Sequence, residues 1–256
     1  MSTVAALAER MRSGSPLLTA WCGIPEPAVA GILAREAFDA VTLDMQHGAI
    51  DLAATLRAIP VIAGAGKPAL ARIPVGEFAT ASKLLDSGIS GVIAPMINTI
   101  EDARRFGAFM KYPPLGERSW GPHGATALSG LQPPAYFQQA NDIGLSFAMV
   151  ETREALAIVD DILAAPGIDG IFIGPADLSI ALTNGAGVDP LHPEVDRAVA
   201  HALARTRAAG KRIGIYAHTG ERAADLMRQG FDLIAVGSDT VFLRAGAQAA
   251  LKAARA

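Results

Sequence analysis

The sequence predicts a single (β/α)8 barrel spanning residues 1–256, and three observations lead to this prediction. The length of 256 residues is common for one barrel of this kind. Apolar runs and helical patterns alternate through about eight units. The apolar runs are nearly continuous, as in parallel strands that are covered on both faces. A doubly wound open sheet is the alternative, although the first strand–helix turn, CGIPEPA (22–28), lacks the glycine pattern of dinucleotide-binding folds.

A recurring phrase marks the places where helices end and strands begin. In this phrase a helix tail is followed by a bend and an apolar strand, and in three of the four copies a glycine closes the helix as a left-handed cap. The copies are REAFDAVTLD (35–44), DSGISGVIAP (86–95), APGIDGIFIGP (165–175) and RQGFDLIAVG (228–237). The full set of predicted strands lies near residues 17–23, 40–45, 68–73, 91–97, 145–151, 170–175, 212–217 and 233–238.

Helical patterns fill the gaps between these strands. They include PAVAGILAREA (27–37), TIEDARRFGAFM (99–110), TREALAIVDDILAA (152–165) and EVDRAVAHALARTRAA (194–209). A further short amphipathic helix is predicted within residues 1–16. Charged residues interrupt its apolar run, so it is neither a signal peptide nor a membrane span.

Residues 111–143 interrupt the alternation of strands and helices. We expect a long connection here, because the segment is rich in proline and glycine. Structureless connections of this length in compact domains are usually lids or binding loops. The segment follows the helix after the fourth strand, so it should enter at the end opposite the chemistry unless it crosses over or reaches a neighbouring subunit.

Composition restricts the partners and the compartment. The net charge is −3, 51% of the residues are hydrophobic and 18% are charged. No basic stripe is present, so we expect no nucleic-acid partner and, with no membrane span, no membrane partner. Cys22 is the only cysteine. It excludes an intramolecular disulfide and fits a reducing compartment, so the sequence indicates a cytoplasmic protein.

Polar residues cluster at the carboxyl ends of the predicted strands, where barrel enzymes carry their chemistry. They are Trp21, Asp44, Gln46, His47, Arg72, Asn98, Glu151, Asp177, His218, Ser238 and Asp239. Glu151 and Asp177 each open a helical pattern, so they are either helix-capping acids or two oxygen ligands for a hard divalent cation. Arg72 either pairs with an acid or stabilises a developing oxyanion.

The residues after the second strand also have two interpretations. Asp44 and His47 form either a simple turn or a base with an orienting carboxylate, which would fix the histidine tautomer and raise its basicity. His218 is either a helix-cap residue or a functional group.

The positions of the lysines argue against a Schiff-base mechanism. A Schiff-base aldolase needs a lysine at a buried strand end, and no lysine is predicted there. The five lysines are Lys67, Lys83, Lys111, Lys211 and Lys252. Any carbon–carbon lyase built on this chain should therefore depend on a metal ion.

Six segments in the right order, within residues 15–240, resemble the HpcH/HpaI aldolase family. They are DMQHGAID (44–51), PALARIP (68–74), GVIAPMINTIEDAR (91–104), YPPLGERSWG (112–121), MVETREAL (149–156) and GIDGIFIGPADLS (167–179). The family consists of class II pyruvate aldolases. The resemblance implies a barrel of the phosphoenolpyruvate/pyruvate-type superfamily, with a domain-swapped C-terminal helix and a hexamer assembled as a trimer of dimers.

The resemblance also implies a role for each site residue. Glu151 and Asp177 would hold Mg²⁺, Mn²⁺ or Co²⁺, Arg72 would contact the ketone oxygen, and His47 supported by Asp44 would be the acid–base group. The substrate is expected to lie against Trp21 and the segment Gly174, Pro175, Ala176 and Asp177, with its carboxylate on the backbone amides of that segment. Met149 departs from the family pattern, which often has glutamine there, and this leaves the substrate preference open.

These roles imply a metal-dependent aldolase. It would reversibly cleave 4-hydroxy-2-oxo acids into an aldehyde and pyruvate or hydroxypyruvate. Two alternatives stay open at this point. One is an acyl-CoA lyase of the citrate lyase or malyl-CoA lyase type, which would need a basic groove for the nucleotide. The other is a non-catalytic barrel that binds 2-oxo acids.

Overall fold

Eight parallel strands form a closed barrel in the computed structural model, which describes residues 2–256; Met1 lies outside the described residues. The strands are β1 (Leu17–Cys22), β2 (Ala40–Asp44), β3 (Ala69–Arg72), β4 (Gly91–Ala94), β5 (Leu145–Val150), β6 (Gly170–Ile173), β7 (Arg212–Ala217) and β8 (Leu233–Val236). Each strand pairs with the next in sequence, and β8 pairs with β1. The predicted (β/α)8 barrel is therefore confirmed, and the open-sheet alternative is excluded.

Thirteen helices occur in residues 2–256. They are α1 (Thr3–Arg12), α2 (Pro27–Arg35), α3 (Leu52–Gly64), α4 (Phe78–Asp86), α5 (Ile100–Met110), α6 (His123–Ser129), α7 (Pro133–Ile143), α8 (Arg153–Ala157), α9 (Val159–Ala164), α10 (Pro175–Leu182), α11 (Pro193–Ala208), α12 (Gly220–Gln229) and α13 (Asp239–Ala254). None of them is both long enough and apolar enough to cross a membrane.

The apolar strand runs are explained by burial on both faces. Every residue of β2, β3, β4, β5 and β6 is buried. One set of side chains fills the barrel interior, including Leu70, Phe147 and Phe172. The alternate set packs outward against the helices, so the strands lie between two apolar layers.

In the three copies of the recurring phrase that contain a glycine, that glycine is left-handed: Gly88 follows the C-cap of α4, Gly230 is the C-cap of α12, and Gly167 lies in the turn after α9, two residues beyond its C-cap. Gly88, Gly167 and Gly230 have φ angles of 100°, 78° and 96°. Only glycine adopts this left-handed conformation without a steric cost, so these residues end one element and redirect the chain into the next strand.

The predicted connection at residues 111–143 differs from the structure, because it contains two helices, α6 and α7. Tyr136, Ala140 and Ile143 of α7 pack with Val4 and Ala5 of α1 in one buried cluster. This tertiary packing stabilises short helices that proline and glycine disfavour locally.

Helix α1 shows at which end of the barrel this segment lies. Its residues Leu7, Ala8 and Met11 pack against Leu17 and Leu233, which begin β1 and β8. Helix α1 therefore covers the amino end of the barrel. The α6–α7 segment packs beside it, opposite the strand ends that carry the predicted site.

Candidate active site

The predicted site residues gather around one cavity of about 570 Å³ at the carboxyl ends of the strands. It is lined by eight of the nine residues selected from the sequence: Trp21, Asp44, His47, Arg72, Gly174, Pro175, Ala176 and Asp177. The ninth, Glu151, lies behind this wall and is 1% exposed. His218 and Met149 also line the cavity.

Asp44 and Arg72 meet because they end neighbouring strands in register. They are paired positions at the ends of β2 and β3. Arg72 Nε donates to Asp44 Oδ1 at 2.9 Å, and Arg72 Nη2 donates to Asp44 Oδ2 at 2.7 Å. Two parallel bonds fix the plane of the guanidinium. Arg72 Nη1 has no acceptor among residues 2–256, so it remains available to a molecule in the cavity.

Trp21 supports this ion pair from β1. Its indole N–H donates to Asp44 Oδ2 at 3.1 Å, and the Arg72 guanidinium carbon lies 5.0 Å from the centre of its ring. Burial alone would raise the pKa of Asp44, but the hydrogen bonds and charge of Arg72, helped by Trp21, lower it below its ordinary value. Asp44 is therefore a fixed anion whose charge is balanced by Arg72.

The structure does not contain the side-chain contact that was predicted between Asp44 and His47. Asp44 Oδ1 accepts the backbone N–H groups of Gln46 and His47, at 3.1 and 3.3 Å, in a turn-like arrangement. The carboxylate oxygens are engaged by Arg72 and Trp21, so Asp44 fixes the loop that carries His47 and leaves the imidazole unbonded. His47 itself is exposed and lines the cavity.

Glu151 is a buried carboxyl group that is only half satisfied. Its Oε1 accepts the backbone N–H of Met96 at 2.8 Å, whereas Oε2 has no hydrogen-bond partner within residues 2–256. Burial raises the pKa of Glu151 to about 7; the Met96 N–H opposes the rise and the negative charge of Asp177 adds to it. An unpaired buried carboxylate is costly, which indicates a missing positively charged partner.

Asp177 lies in the first turn of α10, after the strand next to the one that delivers Glu151. It is exposed and faces the cavity. The backbone N–H groups of Ala176 and Asp177 have no acceptor among the described residues. Free N–H groups at a helix start favour an anion, so this turn offers a carboxylate-binding surface beside the acidic pair.

These residues fit a divalent cation held by two carboxylates. No group of three or more His, Cys, Asp or Glu side chains arranged to hold a metal occurs in residues 2–256, so water and substrate oxygens would complete the coordination. Gly174 leaves room for this arrangement, because a Cβ there would lie 2.4 Å from Glu151 Oε2. The charge of the site also fits a cation. One arginine lies among four carboxyl groups, Asp44, Glu151, Asp177 and Asp239, and a cation would offset the excess negative charge.

The expectation that no lysine serves the site agrees with the lining of the cavity, which contains none among the described residues. Lys111 is buried, and its Nζ is satisfied by Asn141 O, Gly144 O and Asp169 Oδ2 at 2.7, 2.8 and 2.7 Å. It stabilises the connection after α5, at the opposite end of the barrel from the cavity.

Asp239 is a contributor whose role the sequence reasoning missed. It begins α13, is 3% exposed, and its Oδ2 accepts the backbone N–H groups of Gly23 and Ile24, each at 2.8 Å. Gly23 O in turn accepts the N–H of Ala49 at 2.8 Å. Asp239 thus holds the loop after β1 in place. That loop in turn holds the loop that carries His47, through the hydrogen bond between Ala49 and Gly23. Its position after a strand was visible in the sequence, but its partners lie more than 200 residues away.

Met96 is a second residue whose role in the site was not predicted from the sequence. It has a φ angle of 55°, which is unusual for a residue with a side chain, and this conformation directs its N–H at Glu151. No pattern in the sequence predicts a left-handed methionine.

Comparisons with known proteins agree with the geometry. Residues 18–245 match the family described as HpcH/HpaI aldolase/citrate lyase. The chain is 40% identical to a hydroxypyruvate/pyruvate aldolase of Rhizorhabdus wittichii, over 95% of this chain and 96% of the relative. It is 34% identical to a 4-hydroxy-2-oxo-heptane-1,7-dioate aldolase of Salmonella dublin, over 95% of this chain and 92% of the relative.

A solved structure extends the comparison to the fold. An HpcH/HpaI aldolase/citrate lyase family protein of Burkholderia cenocepacia superposes with a TM-score of 0.87 at 30% identity, over 98% of this chain and 100% of that one. The match covers the barrel and the strand ends that carry the site. The chain belongs to the HpcH/HpaI aldolase/citrate lyase family.

Proposed function

We propose that this protein is a divalent-metal-dependent aldolase that reversibly cleaves 4-hydroxy-2-oxo acids into an aldehyde and pyruvate or hydroxypyruvate. One observation carries the proposal: the unpartnered carboxylate oxygen of buried Glu151, beside Asp177, at a cavity also lined by a fixed Arg72 with one free nitrogen. The names of the two relatives, aldolases for hydroxypyruvate or pyruvate and for a 4-hydroxy-2-oxo acid, support the same reaction class.

The residues suggest how the substrate is held. The carboxylate accepts the free N–H groups of Ala176 and Asp177 at the start of α10. The ketone oxygen faces Arg72 Nη1. A divalent cation bound by Glu151 and Asp177, which could be Mg²⁺, Mn²⁺ or Co²⁺, would act as a Lewis acid toward the oxygen atoms of the oxo acid.

His47 performs the proton transfer in this proposal. In cleavage it accepts the proton of the 4-hydroxyl group, the C3–C4 bond breaks, and the hydroxyl carbon leaves as an aldehyde. The electron pair of the broken bond passes into the enolate of pyruvate, whose negative oxygen is stabilised by Arg72. A proton returned to C3 completes pyruvate, and the reverse sequence is aldol addition.

Trp21 and Phe172 give the site its apolar wall. Their rings lie 5.8 Å apart and both line the cavity. An apolar wall on one side and the carboxylates on the other orient the oxo acid and exclude water from the enolate. The volume of about 570 Å³ suits a small acid and its aldehyde partner.

The chemistry is tested by a substrate panel. Pyruvate and hydroxypyruvate are each offered with a set of aldehydes and with Mg²⁺, Mn²⁺ or Co²⁺, and 4-hydroxy-2-oxo acid products are measured by mass spectrometry. We expect aldol products that require the added metal. Turnover of malyl- or citramalyl-CoA but not of free acids would favour the acyl-CoA lyase alternative, and binding of pyruvate without any turnover would favour a non-catalytic barrel.

We further propose a homo-oligomer, a hexamer assembled as a trimer of dimers with an exchanged α13. Asp239 is the only buried residue of this helix, and Val241, Leu243 and Leu251 are 52%, 67% and 52% exposed. A long helix that is exposed around almost its whole circumference and still carries large apolar side chains is typical of an element that a second copy covers. The single free cysteine, Cys22, supports the further proposal of a cytoplasmic location.

A further inference from the structure

A second cavity adjoins the candidate active site. It measures about 360 Å³ and lies between the segment after α10 and the end of β7. Pro175, Tyr216 and His218 line both cavities. The rings of Tyr216 and His218 are in edge-to-face contact with centres 5.0 Å apart, so these two side chains form the partition between the cavities.

Much of the surface of the second cavity is apolar. Its apolar surface comes from Val188, Pro190, Leu191 and Ile215. Val188 and Leu191 are 64% and 61% exposed. Single exposed apolar residues are ordinary, but these two share one concave surface, which favours an apolar ligand.

Three polar side chains of this cavity already form hydrogen bonds, two with the backbone and one with a side chain outside the cavity. Asp189 Oδ1 accepts the N–H of Leu191 at 3.0 Å, and Thr219 Oγ1 accepts the N–H of Arg222 at 3.2 Å. Arg222 Nη2 bonds to Asp196 Oδ1 at 2.5 Å. The one arginine of the cavity is therefore already paired with a carboxylate, which lowers its attraction for a ligand carboxylate.

The barrel places this cavity on the far side of the site from Arg72. Strands β3 and β7 are four positions apart in a closed barrel of eight, so they face each other across the mouth. Tyr216 and His218 line the candidate active site as well as the second cavity, so a bound oxo acid that reached across the mouth from Arg72 would meet these two side chains first. Carbons beyond the hydroxyl-bearing C4 come from the aldehyde, and they are the part of the substrate to which the proposed contacts with Arg72 and α10 assign no place.

We propose that the second cavity binds the apolar tail of the aldehyde half of the substrate. The inference rests on the proposed function and specifies its substrate class: aldehydes with an alkyl or aryl tail, in preference to aldehydes that end in a carboxylate. The partition formed by Tyr216 and His218 would then lie between the reacting carbons and the tail.

The test measures kcat/KM for aldol addition of pyruvate to a series of aldehydes. The series runs from acetaldehyde to hexanal and includes 4-oxobutanoate, whose tail ends in a carboxylate. Burying one methylene group stabilises by about 0.8 kcal/mol, so we expect a rise of about fourfold for each added methylene. We expect pentanal to exceed 4-oxobutanoate by at least tenfold.

Two variants link this trend to the cavity. Leu191→Ser should flatten the ratio of hexanal to acetaldehyde, and Leu191→Trp should lower it by filling the space. Ile32→Ser changes a similarly exposed residue on α2, 60% exposed, and should leave the ratio unchanged.

The outcomes are distinguishable. Equal kcat/KM along the series, a preference for 4-oxobutanoate, or a ratio unaffected by both Leu191 variants would overturn the tail-binding cavity while leaving the aldolase intact. The last of these is also the result expected if a second copy of the chain covers this face. Absence of turnover with every aldehyde, acetaldehyde included, would contradict the proposed function and this inference together.

Discussion

At the scale of single residues, the candidate site depends on two carboxyl groups in opposite electrostatic situations. Asp44 is buried next to Arg72 and is held as an anion, whereas Glu151 is buried with one oxygen unpartnered and near a second acid. The first arrangement balances its charge within the chain. The second leaves an imbalance, which a bound cation would remove.

The first prediction concerns the partner of Asp44. Asp44→Asn should lower kcat/KM by about 100-fold, because Arg72 loses the charge that fixes its plane. If Asp44 acts through Arg72, then Arg72→Lys should cost much less when it is combined with Asp44→Asn than in the native protein. A double-mutant cycle with steady-state kinetics measures this coupling. Stronger coupling of Asp44 to His47 than to Arg72 would restore the acid–base pair expected from the sequence.

The second prediction concerns the pH dependence of stability. The pKa of Glu151 rises from its ordinary value of 4.5 to about 7, so between these values the folded state binds more protons than the unfolded state. Metal-free protein should therefore lose stability as pH rises from 4.5 to 7, by on the order of 3 kcal/mol. Glu151→Gln should remove this loss. Denaturant unfolding at pH 5 and pH 8 measures it, and equal pH profiles for the two proteins would contradict the burial of an unpaired carboxyl group.

Residue identities at the strand ends could be predicted from the sequence, but their partners could not. Asp44, Arg72, Glu151 and Asp177 follow apolar strands, and parallel strands bring such positions to one face. The fastening of Asp239 to Gly23 and Ile24 depends on the closure of β8 against β1. Closure is a property of the whole barrel, and no local pattern encodes it.

At the scale of elements, the loops after β1 and β2 behave as one unit. Gly48 has no space for a side chain, because a Cβ there would lie 2.3 Å from Asp44 O and 2.8 Å from Gly23 Cα. The two loops are thus in direct backbone contact. Asp239 holds the first of them, so the position of His47 depends on the start of α13.

The third prediction tests this connection. Asp239→Ala leaves the partly buried N–H groups of Gly23 and Ile24 without an acceptor, which should cost about 2 kcal/mol of stability. It should also lower kcat by about tenfold with little change in KM for the oxo acid, because only the His47 loop is loosened. Asp239→Asn keeps one acceptor oxygen and should recover most of kcat.

Asp225→Ala is the matched control, since the Asp225 side chain on α12 is 49% exposed and pairs only with Arg228 among the described residues. It should leave both constants unchanged. A kcat for Asp239→Ala equal to that of this control would show that the His47 loop keeps its position without Asp239.

Elements with a continuous apolar pattern were predictable and the α6–α7 segment was not. The strands are buried on both faces, so their sequences are apolar throughout. Helix α7 begins at Pro133 and buries only a few residues, and it is stabilised by packing against α1, which lies more than 100 residues earlier in the sequence. Local composition therefore indicated a loop where tertiary packing produces helices.

At the scale of the whole molecule, the two ends of the barrel are built differently. Helix α1 and the α6–α7 segment cover the amino end, and the carboxyl end carries the cavity. The barrel and its family could be predicted from the order of strands and motifs. The proposed assembly could not be derived from patterning alone, because exposed apolar side chains on one helix do not specify the number or the symmetry of the subunits.

The fourth prediction concerns that assembly. Leu243→Asp places a charge on the exposed side of α13 and should shift the protein from a hexamer to smaller species in analytical ultracentrifugation. Arg255→Asp, at the end of the same helix, is the control and should leave the sedimentation coefficient unchanged. A native protein that sediments as a monomer at micromolar concentration would contradict the proposed oligomer.

The prediction that residues 1–256 form one domain is tested at the same scale. A single barrel should unfold in one cooperative transition, with coincident curves from far-ultraviolet circular dichroism and tryptophan fluorescence. Two separate transitions would indicate that part of the chain folds independently.

The most direct measurement is pyruvate release from a 4-hydroxy-2-oxo acid by protein stripped of metal, followed as Mn²⁺ is added back. We predict background activity without metal and saturable recovery with Mn²⁺, and we predict that Glu151→Gln and Asp177→Asn each shift the midpoint to at least tenfold higher Mn²⁺. Undiminished activity after complete metal removal, or recovery curves that coincide for the native protein and both variants, would contradict a cation held by Glu151 and Asp177.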